Sequence, residues 1–324
     1  MRLQLNDCEV CKMDIMITKP IPRKAIWGYT KLKDYFHYDT FPNGIGQSWS
    51  FSGQNENANL IVDGMHVGKT IAEIWKEYPH YFNSKSKHFP FIIGLVGAED
   101  HLSIQVHPDA VYARKHGLLS GKNEAWYFID VDTNADLVLG TTAKNKKELV
   151  SLMERGKWEQ LLNRIPVYKD DFVYVPAGML HAMQKGVIAY EVQEATDITY
   201  RFYDYHRQDA YGNKRELHLK EAIESIHFFD THPKPLLNQI KHNGYKTTYI
   251  NNESFKIQKY QITKNCTIDV EAYMLVTIIS GSGKVNEHSL TFGDSFLVPS
   301  TLFKLEVQGK MEWMVTMEGK KSSK

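Results

Sequence analysis

Alternating hydrophobic and polar positions dominate much of the chain. The runs that show this pattern, many of them ended by Gly, Pro, Asn or Asp, are "NLIVDG", "FPFIIGLVG", "LSIQVHP", "EAWYFIDV", "DLVLG", "DFVYVPAG", "VIAYEVQ" and "ITYRFYDY". A period of two with β-branched and aromatic residues is typical of strands, because successive side chains point to opposite faces of a sheet. The sequence therefore predicts a mainly β fold, an antiparallel sandwich or barrel.

Three segments interrupt this alternation. Apolar residues recur at helical spacing in "KTIAEIWKEYPHYF" (69–82) and in "KKELVSLMERGKWEQLLNRI" (146–165). The stretch "DAVYARKHG" (109–117) predicts a short helix or turn after Pro108. We expect these helices to be additions to a β scaffold.

A change in composition divides the chain into two β units. Residues 208–244 are charged, helical in their middle and loop-like at their end, so we predict a first unit over 1–207, a linker over 208–244 and a second unit over 245–324. The stretch "DDFVYVPAGMLH" aligns with "GDSFLVPSTLFK", which pairs Pro176 with Pro299 and His181 with Lys304. If this is an internal duplication rather than a coincidence, only the first copy has the histidine.

Composition and charge exclude several classes of function. Lys and Arg total 39 against 38 Asp and Glu, so the chain has no bulk positive field for nucleic acid or an anionic membrane. Cys8, Cys11 and Cys266 cannot build a disulfide framework, and "CEVC" lacks the second CxxC of a zinc ribbon. Charges interrupt every apolar run near the start, so we expect a cytoplasmic protein without a signal peptide or membrane span.

Polar residues on the predicted strands suggest a metal site. Gln105 and His107 share one face of "SIQVHP", and Glu124 begins the strand that carries Trp126 and Phe128. A carboxylate on an apolar face is costly to bury unless it is paired or binds a metal.

A histidine after a tight turn adds a further candidate ligand. In "PAGMLH", Pro176 ends a strand, Gly178 permits a turn closed to larger residues, and His181 follows. Nitrogen and oxygen donors of this kind suit Zn²⁺ first, with Mn²⁺, Co²⁺ or Ni²⁺ as alternatives. Spacing alone leaves open that these polar residues are unrelated.

Longer motifs strengthen the metal interpretation. The stretches "SIQVHPD", "GKNEAWY", "VPAGMLHA" and "YEVQEATDITYRFYDYHR" resemble the cupin-type, type I mannose-6-phosphate isomerases in their shorter bacterial form. The similarity extends to "IWGYTKL", "IGQSWSFSG" and "GKTIAEIWKEYPHYF", and so covers nearly the whole chain. The resemblance implies double-stranded β-helix jelly rolls: two barrel units with helical additions, the second without a metal site.

The resemblance also assigns roles to individual residues. It implies one divalent metal ion per chain, usually zinc, held by Gln105, His107, Glu124 and His181. It further implies an active-site arginine at Arg201, an active-site lysine at Lys122 and a substrate contact at Ser103.

The implied reaction interconverts mannose 6-phosphate and fructose 6-phosphate through a cis-enediol. The metal would act as a Lewis acid, and Arg201 would stabilise the enediolate charge. The group that moves the proton stays open among Glu191, Glu194, Lys122 and a metal-bound water.

The sequence departs from the family pattern at the positions expected near the charged end of the substrate. Gly94 replaces a lysine, Ser50 replaces a glutamate and His206 replaces an aspartate. Two alternatives therefore remain: an isomerase for a non-phosphorylated or differently decorated sugar, and a sugar-binding regulatory cupin without catalysis. The sequence does not indicate an oligomeric state.

Overall fold

The computed structural model describes residues 13–118, 120–208, 211–228 and 241–319, so Cys8 and Cys11 lie outside the described residues. The α-helices in these ranges are short: α1 Lys31–Phe36, α2 Ile71–Glu77, α3 Ala110–Lys115, α4 Lys146–Glu154, α5 Trp158–Leu161 and α6 Leu219–Ser225. Single 3₁₀ turns occur at Asn55–Asn57 and Pro79–Tyr81. None of the helices in these ranges has the length and hydropathy needed to span a membrane.

Strands make up most of the regular secondary structure. Those before α6 are β1 Met16–Thr18, β2 Ile21–Lys24, β3 Ile45–Ser52, β4 Ile61–Gly64, β5 Phe91–Ala98, β6 Ile104–Val106, β7 Glu124–Val131, β8 Asp136–Thr141, β9 Leu162–Pro166, β10 Phe172–Val175, β11 His181–Met183, β12 Val187–Glu194 and β13 Tyr200–Tyr203. Those after it are β14 Lys241–Asn243, β15 Lys246–Asn251, β16 Phe255–Ile262, β17 Cys266–Asp269, β18 Met274–Val285, β19 His288–Thr291, β20 Ser295–Val298 and β21 Lys304–Glu318.

Two antiparallel sheets are built from strands between residues 21 and 203. Within the described residues, one has six strands in the order β10-β7-β12-β5-β3-β2, and the other has five in the order β13-β6-β11-β8-β9. Buried side chains of both sheets meet in one apolar cluster, with Trp126 and Phe128 from the first and Leu137, Leu139 and Met183 from the second. The prediction of a mainly β, antiparallel fold is confirmed.

A third sheet joins the two ends of the chain. It contains β14 to β21 and, at one edge, β1 and β4 in the order β20-β1-β4. Ile17 pairs with Phe296 on one side and with Asp63 on the other. This pairing crosses the unit boundary predicted near residue 207, and the boundaries themselves stay a prediction.

The predicted helices are present, with one error. Segment 69–82 contains α2 and a 3₁₀ turn, segment 109–117 contains α3, and 208–244 contains α6. In 146–165, α4 ends before Gly156, whose positive φ of 63° suits glycine, and Leu162–Pro166 is a strand. Pairing with β8, which sets Ile165 opposite Leu137, overrides the helical spacing there.

Helices cover the outer face of the five-stranded sheet. Leu180 and Phe202 of that face are buried with Leu149 of α4, Ala222 of α6 and Ile226, the residue that follows α6. The helical additions therefore enclose the sheet that carries most of the candidate ligands.

Candidate metal centre

Three candidate residues lie in one row across the five-stranded sheet. His181 is directly opposite Gln105 on β6, and Gln105 is directly opposite Arg201 on β13. Directly opposed residues of antiparallel strands point to the same face, with Cβ atoms about 5 Å apart. Strand register therefore brings together residues separated by up to 96 positions along the sequence.

Glu124 reaches this row from the facing six-stranded sheet. Its Oε1 lies 2.9 Å from His107 Nε2, and its Oε2 lies 3.6 Å from His181 Nε2. Ligand atoms of the three residues lie within 4.8 Å of one another, and all three side chains are buried. Glu124 sits at the first position of β7, as the alternation of "EAWYFID" predicted.

The hydrogen bonds of the imidazoles leave a site for a cation. His107 Nδ1 lies 2.8 Å from the carbonyl oxygen of Ile198, and His181 Nδ1 lies 2.8 Å from that of Met179. With each Nδ1–H donating to its carbonyl, each Nε2 is an acceptor that faces the Glu124 carboxylate, also an acceptor. His107 Nε2 and both Glu124 oxygens are buried without a hydrogen-bond partner. A metal ion would satisfy all of them, so the residues fit the metal that the motifs imply.

Local electrostatics favour the protonation states that a metal needs. Burial lowers the pKa of His107 and brings the pKa of His181 down to about 4. Burial alone would raise the pKa of Glu124, but interactions with its neighbours His107 and Lys122 outweigh burial and lower the pKa. Neutral imidazoles and an ionised carboxylate bind divalent ions without first releasing protons.

Gln105 and Ser103 lie at the edge of this group. Gln105 Nε2 is 3.5 Å from His181 Nε2, and Ser103 Oγ donates to Gln105 Oε1 at 3.3 Å. A half-turn of the amide would exchange its oxygen and nitrogen and direct the oxygen to the centre. The structure brings Gln105 beside the group, while its role as a ligand and the substrate contact of Ser103 stay predictions.

Lys122 and Glu194 frame the start of β7. Lys122 Nζ is buried 3.2 Å from Glu124 Oε1. Glu194 Oε2 accepts hydrogen bonds from the backbone N–H and the side-chain amide of Asn123. Glu194 thus fixes the backbone just before Glu124, which indicates a structural role for Glu194 rather than proton transfer.

Glu191 is the other open candidate for proton transfer. It is buried, and its carboxylate accepts hydrogen bonds of 3.2 Å from Trp126 Nε1 and from Gln47 Nε2. Burial, and then the charge of Glu124, raise the pKa of Glu191 to about 8. The Trp126 ring also lies 5.6 Å from the ring of His181. Sequence reasoning did not single out Gln47, although its polar side chain in the strand "IGQSWS" was the available signal.

Arg201 is half-buried beside the centre. Its Nη1 donates to the carbonyl oxygen of Glu216 at 2.7 Å, and its backbone N–H donates to His218 Nδ1 at 3.2 Å. Its Nε is buried without a hydrogen-bond partner. Part of the guanidinium thus remains available to a ligand.

Gly94 lies in the row of the six-stranded sheet that contains Glu191 and Trp49. A Cβ atom at Gly94 would lie 2.6 Å from the carbonyl oxygen of Ser48 on β3. The close approach of β3 and β5 therefore leaves no space for a lysine or any other side chain at this position.

Comparisons with known proteins agree with this architecture. A family model described as "Phosphomannose isomerase type I, catalytic domain" matches residues 17–143, and one described as "Mannose-6-phosphate isomerase, cupin domain" matches residues 245–318. The chain is 36% identical over 310 residues to the mannose-6-phosphate isomerase ManA of Bacillus subtilis, covering 92% of this chain and 97% of that protein. It is 35% identical over 299 residues to the mannose-6-phosphate isomerase of Streptococcus mutans, covering 89% and 93%.

Solved structures show the same fold. The crystal structure of the mannose 6-phosphate isomerase from Bacillus subtilis superposes with a TM-score of 0.88 at 32% identity, covering 94% of this chain and 99% of that one. A mutant of phosphomannose isomerase from Salmonella typhimurium gives a TM-score of 0.75 at 12% identity, covering 94% and 100%. The prediction of cupin architecture is confirmed.

Proposed function

The chain belongs to the type I phosphomannose isomerase family, and we propose that it interconverts mannose 6-phosphate and fructose 6-phosphate at the centre formed by His107, Glu124 and His181. The family makes it an aldose–ketose isomerase. The site is located by His107 Nε2 and the two Glu124 carboxylate oxygens, which are buried between the two sheets without a hydrogen-bond partner. The proposal includes a cytoplasmic enzyme whose partner is a small sugar phosphate.

We assign zinc to the centre, one ion per chain. Two imidazole nitrogens and one carboxylate oxygen are common zinc donors, and the Gln105 amide would complete the set. When bound, such an ion supplies Lewis-acid polarisation of the substrate oxygens on C1 and C2.

Glu191 is our candidate for the proton-transfer group. The conversion of the aldose into the ketose removes a proton from C2 and adds one at C1, while the hydroxyl proton on O2 is lost and O1 gains one. A carboxyl group whose pKa lies near working pH can both accept and return a proton. The hydrogen bonds from Trp126 and Gln47 fix its orientation.

The cations beside the centre stabilise the charge that develops. Arg201 is opposite Gln105, where its guanidinium can face the enediolate oxygens. Lys122 is held against Glu124, and Ser103 is buried beside Gln105, where a substrate hydroxyl would meet it.

Metal analysis paired with an isomerase assay tests the proposal. Purified protein should contain about one zinc per chain. It should convert mannose 6-phosphate, lose activity on chelation and regain it with zinc. Equal turnover of free mannose would favour the alternative of an isomerase for a non-phosphorylated sugar, which Gly94 in place of the family lysine suggests. Metal retention without isomerisation of either sugar would favour the sugar-binding alternative.

A further inference from the structure

The segment predicted as a linker contacts Arg201 and the turn that precedes His181. Residues 211–228, which we call the strap, contact Arg201 through their first half and the turn before His181 through their last residues. Few functional residues are expected in a linker, so these contacts give the segment a different role.

The first half of the strap holds Arg201 at three points. The carbonyl oxygen of Glu216 accepts from Arg201 Nη1, His218 Nδ1 accepts from the Arg201 N–H, and the His218 N–H donates to the Arg201 carbonyl at 2.8 Å. Backbone and guanidinium are therefore both fixed by the strap.

Helix α6 carries the strap from Arg201 to the turn. At about 1.5 Å per residue, its seven residues span about 10 Å. Ala222 and Ile226 are buried in the same cluster as Leu180, which lies between the turn and His181. Apolar packing thus holds the helix against the outer face of the sheet.

The end of the strap closes on Gly178. The His227 N–H donates to the Gly178 carbonyl at 2.8 Å, and His227 Nε2 lies 3.1 Å from Asp109 Oδ2. Gly178 has a φ of +84°, and a Cβ atom there would lie 2.6 Å from the His227 ring. The ring therefore packs directly on the Gly178 backbone.

The turn at Gly178 orients both imidazoles of the centre. The Gly178 N–H donates to the His107 carbonyl at 2.8 Å, and the next carbonyl, that of Met179, accepts from His181 Nδ1. Asp109 lies two residues after His107, and its other oxygen caps α3 by accepting from the Tyr112 N–H. His227 thus contacts the side chain of Asp109, two residues after His107, and the backbone of Gly178, three residues before His181.

We propose that His227 is a positioning residue for the metal ligands His107 and His181, and that the strap fixes this ligand pair relative to Arg201. The proposal rests on the metal centre assigned above. It makes the two ends of the strap separable: the His227 end sets metal affinity, and the His218 end sets turnover.

Metal affinity tests the His227 end. The zinc dissociation constant of the full-length protein is measured by competition with a chelator for wild type, His227→Ala and His80→Ala, the control being an exposed histidine in the 3₁₀ turn Pro79–Tyr81. We expect His227→Ala to weaken zinc binding about 10- to 100-fold, the usual effect of losing a group that orients a ligand. His80→Ala should match wild type. The visible spectrum of the cobalt-substituted protein should change in His227→Ala, because ligand geometry sets it.

A double-mutant cycle isolates the ring contact. Gly178→Ala forces a Cβ into the His227 ring and also strains the backbone. In the His227→Ala background the clash between the new Cβ and the imidazole ring is removed. Gly178→Ala should therefore reduce zinc affinity less in that background than in wild type. His227→Gln keeps a donor for Asp109 and supplies a second variant, with partial rescue expected.

The His218 end gives the opposite signature. His218→Ala should lower kcat about 10-fold through Arg201, with the zinc dissociation constant unchanged. Zinc binding by both His227 variants that equals wild type would overturn the inference while leaving the proposed function intact. Failure of wild type itself to bind zinc would overturn both. A lower melting temperature of the metal-free His227→Ala with unchanged zinc affinity would reduce His227 to a structural role and also overturn it.

Discussion

Each half of the chain contains a strand-to-strand turn that aligns with the other in sequence but differs from it in chemistry. In the first, β10 ends at Val175, and His181 begins the next strand opposite Gln105. In the second, β20 ends at Val298, and Lys304 begins the next strand opposite Asp269. The aligned stretches "DDFVYVPAGMLH" and "GDSFLVPSTLFK" therefore both run from the end of one strand through a turn to the start of the next, although Gly178 has a φ of +84° and the aligned Thr301 has no positive φ.

Strand register extends the equivalence to the carboxylate. Val175 is opposite Glu124, and Val298 is opposite Met274, which is 2% exposed. The second turn thus has a thioether in place of the carboxylate and an exposed lysine in place of the buried histidine. Its interior can be filled by apolar packing alone.

The two turns also differ in what covers them. Leu180 is 1% exposed beneath α6, whereas Phe303, the aligned residue, is 78% exposed. The same barrel architecture therefore presents different side chains and different coverings at its two turns. The candidate ligands and a covering helix occur together at the first turn.

The largest effect is expected for Glu124→Met, which replaces the carboxylate opposite Val175 by the residue type found opposite Val298. We expect zinc retention and isomerase activity to be lost together, an effect larger than the roughly 100-fold limit typical of orienting groups. Lys122 would also be left buried without its partner, at a cost of about 3–5 kcal/mol in the free energy of unfolding.

Elemental analysis and the coupled assay measure this prediction. Glu124→Gln, which keeps the side-chain shape, is the control for loss of packing. Full zinc content in Glu124→Met would show that the carboxylate is not a ligand.

The pH dependence of the metal-free protein sharpens the contrast. The pKa of His181 falls from its ordinary 6.5 to about 4 in the folded state, so the unfolded state binds more protons between these values. The free energy of unfolding should therefore fall by up to about 3 kcal/mol as pH drops through this window. Urea unfolding at several pH values measures it, and His181→Ala should flatten the curve.

Arg201→Ala separates charge stabilisation from metal binding. Zinc content should survive, while turnover should fall about 10²-fold, the usual scale for removal of one group that stabilises a developing charge. Steady-state kinetics with parallel metal analysis measures both. Unchanged turnover would remove Arg201 from the mechanism.

The smallest expected change in stability concerns His288 of the second half, whose pKa is raised whereas that of His181 is lowered. Burial opposes the charge of His288, but hydrogen bonds of 3.0 Å to Asp14 and 2.9 Å to Asp63 raise its pKa. Its stabilisation is full below the unfolded pKa of 6.5 and is lost as pH rises through the raised value.

His288→Gln should therefore lower the free energy of unfolding by about 1 kcal/mol at about pH 6 and by less at about pH 9. Denaturant titration at both pH values checks this. A larger loss at high pH would contradict the sign of the shift.

Local patterns located the candidate ligands along the chain, the family resemblance grouped them into one site, and neither predicted the residues that support them. Alternation placed Glu124 on an inward face, and the motif around Gly178 placed His181 after a turn, because both depend on neighbours in sequence. The contacts of the strap and of Gln47 join segments that are far apart in sequence, so the local pattern of polar and apolar residues could not predict them. The strand at Leu162–Pro166 was missed for a related reason, since pairing with β8 decided its conformation.

The placement of β1 and β4 has a consequence for how the chain is made. During synthesis, residues 16–18 leave the ribosome long before their partners at residues 295–297. Until β20 is available, the edge of β1 that pairs with it remains exposed, and an exposed strand edge is prone to misassembly. Closing a loop of that length should also slow the final step of folding. Separate expression of the two halves should thus give fragments that complete the third sheet only when they are mixed.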